Sequence, residues 1–408
     1  MTEDRVLRRP LEGVRVLAVE QYIAGPYCTM LLADAGAEVI KVERPGTGDP
    51  RRTIGPFVQT QDGQKVSGGF LEYNRSKKSL TLNMADEQGK AIFRALVSQV
   101  DVVVENLRPG AMDRLGLGYR QLAELNPRII YASITGFGQL EGYRGPYWQW
   151  PALDIVVEAM GGIMHMVGYE DRPPLSTFYG MADVYSGLVN AYGIMLALYD
   201  REITGRGQWV DTSMYDCMVA FNERSVALHS LTGEVPCRGR ERVLGPRGAY
   251  LAADGYVAIN IPTDDMWKRL ATVLGREDLV EDERTRTGPA RAQNDALVRV
   301  AIESWLEGRT RASAIAALIE AGVPAGPVQT AEDLASCPQA EARRMLLEVP
   351  EPGLPGLRLA RTAARLSHAP EVTAARAPRL GEHTAEILGS WLGYGPADIQ
   401  ALRAAQVV

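Results

Sequence analysis

The sequence predicts an α/β protein whose large domain contains a Rossmann-like, doubly wound sheet. In the first half of the chain, short apolar runs alternate with helical segments. Apolar runs without polar alternation are typical of parallel strands that are covered on both faces. The chain has 408 residues, 46% of them apolar, which is enough for two or three domains with sizeable cores. These observations exclude a disordered chain and favour a parallel sheet between two layers of helices.

The predicted strands and helices alternate up to about residue 212. The apolar runs predict strands at 14–19, 38–42, 102–104, 129–134 and 209–212. Helical patterns predict helices at 29–35, 87–97 and 182–201. The last helix is the most apolar, and Gly205 is its predicted stop because glycine readily adopts the left-handed conformation that ends a helix. The dinucleotide fingerprint of such folds is missing, since Gly116-Leu117-Gly118 is not completed by a third glycine and follows no strand.

A smaller α+β domain is predicted after about residue 220, where the composition changes. Asp254-Gly255 separates two apolar runs, 249–252 and 256–261, which indicates a β-hairpin. Helical patterns follow at 264–274, 297–306 and 311–321. Proline-rich segments then indicate extended connections toward the C-terminus.

Charge and cysteine content exclude several classes of function. The 44 basic and 50 acidic side chains give a net charge of −6, which argues against nucleic acid as a partner. The four cysteines form no CxxC pair and the four histidines have no metal-ligand spacing, so we expect neither a disulfide framework nor a bound metal. No signal peptide is evident and no apolar stretch reaches about 18 residues, so we expect a cytoplasmic protein that spans no membrane.

Two carboxylates are the candidates for chemistry. Asp183 stands at the predicted start of the most apolar helix, where the helix dipole and free N–H groups would keep it ionised and suited to act as a nucleophile. The alternative is that Asp183 is an N-cap or first-turn aspartate that only stabilises the helix. Asp154, with apolar neighbours on both sides, is a second candidate or a buried, hydrogen-bonded structural residue.

Basic residues occur at loop-like positions of the first domain. They fit either solvated surface charge or a phosphate-binding rim beyond the ends of the strands, and their spacing does not separate these alternatives. The residues are Arg44, Lys77, Lys78, Arg108 and Arg114.

Short motifs spread over nearly the whole chain carry a family resemblance. They lie at residues 11–17, 24–26, 32–45, 74–82, 104–110, 131–138, 204–208, 322–328 and 378–384. On these motifs the chain resembles the family III CoA-transferases, which are related to formyl-CoA transferase, carnitine CoA-transferase and the α-methylacyl-CoA racemases.

The resemblance implies a fold beyond what periodicity predicts. It implies a large Rossmann-like domain built from both ends of the chain, with a first part at 1–220 and a C-terminal segment at 330–408. The small α+β domain would occupy residues 221–329. Two chains would interlock as a homodimer, or as a heterodimer in some members.

The resemblance also implies roles for individual residues. The family's catalytic aspartate corresponds to Asp183 in Gly180-Met181-Ala182-Asp183, which favours the nucleophile over the cap. No tightly bound cofactor is implied, because coenzyme A and acyl-CoA are substrates. The positions that match CoA contacts are Ile23, Ala24, Arg44, Lys77, Asn106, Leu107 and Arg114.

One departure from the family pattern distinguishes between reactions. The racemases carry a histidine immediately before the residue that matches Asp154, and here that position is Leu153, which cannot exchange a proton. We therefore expect a CoA-transferase that moves CoA from an acyl-CoA, with succinyl-CoA as a common donor in the family, to a carboxylic acid such as a C4–C5 dicarboxylate. An acyl-CoA racemase and a non-catalytic subunit of a heterodimeric transferase are the alternatives.

Overall fold

The computed structural model describes residues 7–60, 63, 65–239 and 245–408. The strands, in chain order, are Arg15–Val19 (β1), Glu38–Glu43 (β2), Phe57–Gln59 (β3), Lys65–Ser67 (β4), Lys78–Thr81 (β5), Val102–Glu105 (β6), Ile130–Thr135 (β7), Trp209–Ser213 (β8), Arg247–Ala252 (β9), Gly255–Asn260 (β10), Ala325–Pro327 (β11), Leu346–Glu348 (β12) and Arg358–Ala360 (β13). The first nine α-helices are Ala24–Asp34 (α1), Gly68–Asn74 (α2), Glu87–Val97 (α3), Ala111–Arg114 (α4), Tyr119–Leu125 (α5), Asp154–Met160 (α6), Ile163–Met166 (α7), Met181–Thr204 (α8) and Met214–Phe221 (α9). The remaining helices are Glu223–Thr232 (α10), Asp264–Leu274 (α11), Asp278–Glu281 (α12), Gly288–Gln293 (α13), Asp295–Leu306 (α14), Arg311–Glu320 (α15), Ala331–Ala335 (α16), Pro338–Ala342 (α17), Thr384–Leu392 (α18) and Pro396–Ala404 (α19), and a 3₁₀ helix covers Pro50–Thr53.

A six-stranded parallel sheet organises the larger unit and confirms the predicted α/β class. Its strand order is β5-β2-β1-β6-β7-β8, which is the doubly wound order. Leu17 in the central strand lies opposite Ile40 on one side and Val103 on the other. The chain therefore leaves the sheet centre in opposite directions after β1 and after β6, and this switch point is where open α/β sheets bind ligands.

Two apolar layers cover the faces of this sheet. On one face α1 and α8 pack against each other and bury residues such as Val16, Val104 and Ala132. On the other face α3 and α5 share a core with α18 and α19, which bury Ile387 and Leu402. Apolar residues on both sides of each strand explain why the strands read as continuous apolar runs.

Most predicted elements are found within three residues of their predicted bounds, and one differs more. Helix α1 begins at Ala24 instead of residue 29, because Gly25 and Pro26 lie in its first turn, where a proline lacks only an N–H that has no partner within the helix. Strand β5 was not predicted, since Lys78 and Thr81 at its ends are only partly buried at the sheet edge.

Helix α8 corrects one expectation about apolar length. By length and composition alone its 24 residues could cross a membrane, although no segment of that kind was expected from the sequence. Half of its most apolar segment is buried inside the protein. The core helices of sheet proteins can have the same length and apolar composition as a membrane-spanning helix. Gly187 permits its close contact with α1, because a Cβ there would lie 2.6 Å from the carbonyl oxygen of Ala24. Gly205, with φ 73°, ends the helix as predicted.

The chain divides into two compact units. The larger one extends to Val167 and includes Pro174–Pro236 and Arg344–Val408, and the smaller one comprises Gly168–Pro173 and Cys237–Arg343. These limits differ from the predicted 221–329, and within the smaller unit Asp333 of α16 forms an ion pair with Arg311.

The smaller unit is built on the predicted hairpin. Strands β9 and β10 pair antiparallel and β11 adds a third strand next to β10. Helices α11, α14 and α15 contribute Trp267, Ile302 and Leu318 to its core.

Candidate active site

Asp183 lies in the first turn of α8, at the carboxyl edge of the parallel sheet. The residue before the helix, Gly180, adopts φ 88° and has no side chain that could cap the helix. The Asp183 carboxylate accepts no hydrogen bond from any residue that the structure describes. A carboxylate in this position is poorly solvated by the protein and is open to reaction.

Asp154 caps α8 from the first turn of α6. One of its carboxylate oxygens accepts hydrogen bonds from the N–H groups of Ala182 at 2.8 Å and Asp183 at 3.4 Å, and the other accepts from Gly180 N–H at 3.1 Å. Asp183 is therefore a first-turn aspartate that does not cap the helix, and Asp154 is the hydrogen-bonded residue that does. The free N–H groups that the sequence predicted at this helix start are already occupied.

This arrangement makes Asp183 a weaker acid than expected. Burial, and next the negative charge of Asp154, raise the pKa of Asp183 to about 7, while Arg51 acts in the opposite direction. The expectation that the helix terminus would keep this carboxyl ionised is corrected, because Asp154 takes the N–H groups and adds a like charge.

Arg51 and Tyr179 lie beside this carboxylate pair, and neither was predicted from the sequence. Arg51 donates from Nη1 to the Tyr179 hydroxyl at 3.3 Å, and its guanidinium lies 5.6 Å from the centre of the Tyr179 ring. Tyr179 immediately precedes the cap position of α8. The only signal in the sequence was the position of Arg51 in the loop after β2, which it shares with several other basic residues.

The start of α1 brings two of the predicted CoA contacts to the same place. The Cδ1 atom of Ile23 lies 3.2 Å from where a Cβ on Gly180 would be, so Ile23 contacts the start of α8. The backbone N–H groups of Ile23, Ala24 and Gly25 bond to no residue in the described part of the chain. Unbonded donors therefore lie at the start of α1 and not at the start of α8.

Asn106 and Leu107 follow β6 at the switch point of the sheet. The Asn106 amide donates to Gln21 O and accepts from Gln21 N–H, both at 2.8 Å, and so fixes the loop before α1. Leu107 lines a cleft together with the exposed Arg44. Arg114 is exposed farther along, with a 3.4 Å contact from its Nη1 to Pro109 O.

Lys77 is buried in the protein and does not lie at the surface of this cleft. Its ammonium group donates to Glu20 Oε1 at 2.7 Å, Pro26 O at 2.9 Å and Asn74 Oδ1 at 3.0 Å. These contacts use all three N–H groups of the lysine. Burial lowers the pKa of Lys77 to about 8. Its role as a CoA contact stays a prediction, beside this structural role.

Replacing Asp154 by asparagine should destabilise the protein and make Asp183 a stronger acid. We expect a loss of about 1–2 kcal/mol in the free energy of unfolding, because an amide cannot accept all three helix N–H groups. Removing the negative charge should also lower the pKa of Asp183. Urea denaturation and the pH dependence of kcat/KM measure the two effects. Asp278→Asn, an exposed first-turn aspartate of α12, is the control and should change neither; an unchanged pH profile in Asp154→Asn would contradict the coupling.

The fold and the site together describe an α/β enzyme with a poorly solvated carboxylate where an open sheet binds its ligands. The sequence model for CoA-transferase family III matches residues 11–384, and the chain belongs to this family. It is an enzyme that transfers CoA between acyl-CoA thioesters and carboxylic acids.

The chain is similar to proteins of named activity over nearly its whole length. It is 40% identical to the succinyl-CoA:mesaconate CoA-transferase of Haloarcula marismortui over 93% of this chain and 95% of that protein. It is 36% identical to the succinyl-CoA–D-citramalate CoA-transferase of Chloroflexus aurantiacus over 98% of both chains. The crystal structure of a CAIB/BAIF family protein from Brucella suis matches with a TM-score of 0.83 at 36% identity, covering 94% of this chain and 99% of that one.

Proposed function

We propose that the protein transfers CoA from succinyl-CoA to a C4–C5 dicarboxylate, between two molecules or between the two carboxyl groups of one acid. The names of its relatives, which act on mesaconate and citramalate, support this class of acceptor. The observation that carries the proposal is the Asp183 carboxylate, which is largely desolvated, accepts no hydrogen bond and lies at the carboxyl edge of the sheet.

Asp183 would act as a covalent nucleophile in four acyl-transfer steps. Its carboxylate attacks the thioester carbonyl of succinyl-CoA, which gives a mixed anhydride and releases CoA as a thiolate. The thiolate attacks the aspartyl carbonyl, so that an aspartyl-CoA thioester forms and succinate leaves. The acceptor carboxylate attacks this thioester and again displaces the thiolate, which then attacks the acceptor's carbonyl and regenerates Asp183. Each step exchanges one acyl bond for another, as covalent catalysis requires.

The start of α1 would stabilise the negative oxygen that develops in each step. The N–H groups of Ile23, Ala24 and Gly25 are unbonded within the described ranges and belong to the segment whose Ile23 side chain contacts Gly180, whereas the N–H groups at the start of α8 are bonded to Asp154. Pre-oriented donors of this kind stabilise a tetrahedral oxyanion without reorganisation. The nucleotide of CoA would lie in the cleft with Arg44 and Leu107, which would hold the thiolate close to the anhydride.

An acyl-CoA racemase is the less favoured reaction. Leu153, at the position of the racemase histidine, is an exposed apolar side chain that cannot exchange a proton at the substrate's α-carbon. We expect no deuterium at the α-carbon of an acyl-CoA incubated with the protein in heavy water without an acceptor acid. Turnover by the purified single chain would separate the proposal from a non-catalytic subunit.

Mass spectrometry of the protein mixed with succinyl-CoA tests the proposal. We expect the mass of CoA, less one water, on the peptide that contains Asp183, and its loss when mesaconate, citramalate or glutarate is added. Hydroxylamine should remove the adduct, because it cleaves acyl thioesters and anhydrides. Protein that shows no adduct with any acyl-CoA would contradict the covalent route.

The activity should fall in acid because the nucleophile is the ionised carboxylate. With the pKa of Asp183 raised to about 7, kcat/KM for succinyl-CoA should be constant above about pH 8 and fall about tenfold per pH unit well below pH 7. Initial rates between about pH 5.5 and 9 measure this profile. A profile that stays flat down to pH 5.5 would show that Asp183 titrates lower than the structure indicates.

We also propose that two chains form an interlocked homodimer, as the family resemblance implies. Apolar side chains exposed along one side of α8 support a protein partner there, and these are Leu188, Tyr192, Met195, Leu196, Tyr199 and Ile203. Light scattering coupled to gel filtration should give twice the mass of one chain at micromolar concentration.

A further inference from the structure

We propose that Arg51 binds the second carboxylate of a dicarboxylic substrate while its first carboxyl group reacts at Asp183. This inference rests on the proposed function, since it assigns the residue by which that site would select a diacid over a monoacid. Nothing in the sequence pattern or in the names of the relatives assigns a role to Arg51.

The charges around Asp183 require a cation if a diacid is to bind. Asp154 and Glu72 place two more carboxylates near the site, and both would repel a second negative charge on the substrate. The carboxylate of Asp154 raises the pKa of Asp183, and the positively charged guanidinium of Arg51 lowers it. An arginine is suited to this task because its planar guanidinium matches a carboxylate at two points.

Arg51 is held in place before any ligand arrives. Its side chain is only 5% exposed, and it donates from Nε to Gly69 O at 3.0 Å and from Nη2 to Glu72 Oε2 at 3.0 Å. Gly69 makes this contact possible, because a Cβ there would lie 3.0 Å from Arg51 Nε. A guanidinium fixed in this way loses little conformational entropy when it binds a carboxylate.

The guanidinium retains capacity for one more partner. Three of its five N–H groups are bonded, to Gly69, Glu72 and Tyr179, which leaves one N–H on each terminal nitrogen without a partner in the part of the chain that the structure describes. The bond to the Tyr179 hydroxyl is long, at 3.3 Å, and the Tyr179 side chain is exposed. A substrate carboxylate can therefore reach Arg51 by displacing a phenol side chain, without any change in the backbone.

The first half of the reaction tests this assignment with two matched donors. Butyryl-CoA has the same four-carbon acyl chain as succinyl-CoA but lacks the terminal carboxylate. In the wild type we expect kcat/KM for formation of the Asp183 adduct to be about 100-fold higher with succinyl-CoA than with butyryl-CoA. Arg51→Met should slow the succinyl-CoA reaction by about 100-fold and change the butyryl-CoA reaction less than about threefold. Arg276→Met, which removes an exposed arginine of the smaller unit, should change neither rate.

Two further variants keep the prediction testable if Arg51→Met does not fold. Arg51→Lys keeps the charge and should retain part of the preference for succinyl-CoA. Glu72→Gln alters a side chain that is 41% exposed and releases the guanidinium from its ion pair, so it should increase the preference by about threefold or more.

The possible failures are distinguishable. A wild type that forms no adduct with either donor overturns the proposed function, and this inference with it. An adduct whose preference for succinyl-CoA survives Arg51→Met overturns only this inference. An equal loss with both donors would show that Arg51 has a structural role alone.

Discussion

Replacing Asp183 by asparagine should reduce kcat by more than about 1,000-fold. The amide keeps the size of the side chain but is not a nucleophile, so neither the anhydride nor the aspartyl-CoA thioester can form. Steady-state rates with succinyl-CoA and mesaconate measure the loss, and the covalent CoA adduct should disappear from the mass spectrum. Asp216→Asn is the matched control, because Asp216 also lies in the first turn of a helix and burial also raises its pKa. Its activity should stay within about twofold of the wild type.

The same variant should be more stable than the wild type in alkaline solution. The pKa of Asp183 is raised to about 7, so the folded protein holds this proton more tightly than the unfolded chain. The resulting stabilisation is present below about pH 4 and is lost as the pH rises through about 7. The asparagine variant has no proton to lose, and its thermal midpoint should exceed that of the wild type more at pH 8 than at pH 5. A variant that is less stable at both values would contradict the desolvated position of Asp183.

Replacing Lys77 by methionine should cost about 3–5 kcal/mol of the free energy of unfolding. The ammonium group is buried and bonds Glu20, Asn74 and the carbonyl oxygen of Pro26, and its loss removes one donor from each of these acceptors. Lys41 stays 3.5 Å from Glu20 and offsets part of the loss. Urea denaturation measures the effect, and calorimetric titration of the folded variant with CoA measures binding. A variant with unchanged stability and weakened CoA binding would instead support the CoA contact predicted from the family resemblance.

The neighbouring lysine provides the control. Lys78 forms ion pairs with Glu38 and Glu386, but its side chain is 32% exposed, so Lys78→Met should cost no more than about 1 kcal/mol. The double variant Glu20→Gln, Lys77→Met should recover part of the stability lost in Lys77→Met, because it removes a buried charge that the single variant leaves with only the 3.5 Å ion pair to Lys41.

Short-range patterns were sufficient for most of the large sheet. Residues 14–19, 102–104 and 129–134 predict strands because each is apolar on both faces, and the structure contains β1, β6 and β7 there. Helix α3 has the predicted bounds, 87–97, since its apolar face repeats with the helical period and Asp86 caps it. The edge strand β5 was missed because it has polar ends and buries only two residues.

The site was predicted less completely than the fold. The resemblance singles out Asp183, and the structure places Ile23 beside Gly180 at the start of its helix and Ala24 beside Gly187 farther along it. Arg51 could not be recognised from the sequence, because its role depends on Tyr179, which is 128 residues away along the chain. Lys77 matches a CoA contact in the family pattern, and only the structure shows that it is buried and bonded to three partners inside the protein.

The sequence by itself determined the fold class, the helix that carries Asp183 and the family, because these depend on periodicity and on motifs that are local in the chain. The tertiary structure alone decided which carboxylate caps α8 and which one is left without hydrogen bonds. Asp154 and Asp183 are 29 residues apart, and in the structure each lies in the first turn of a helix. Folding brings Asp154 to the N–H groups at the start of α8, the helix that carries Asp183. Because Asp154 occupies those donors, burial and the like charge of Asp154 raise the pKa of Asp183 to about 7.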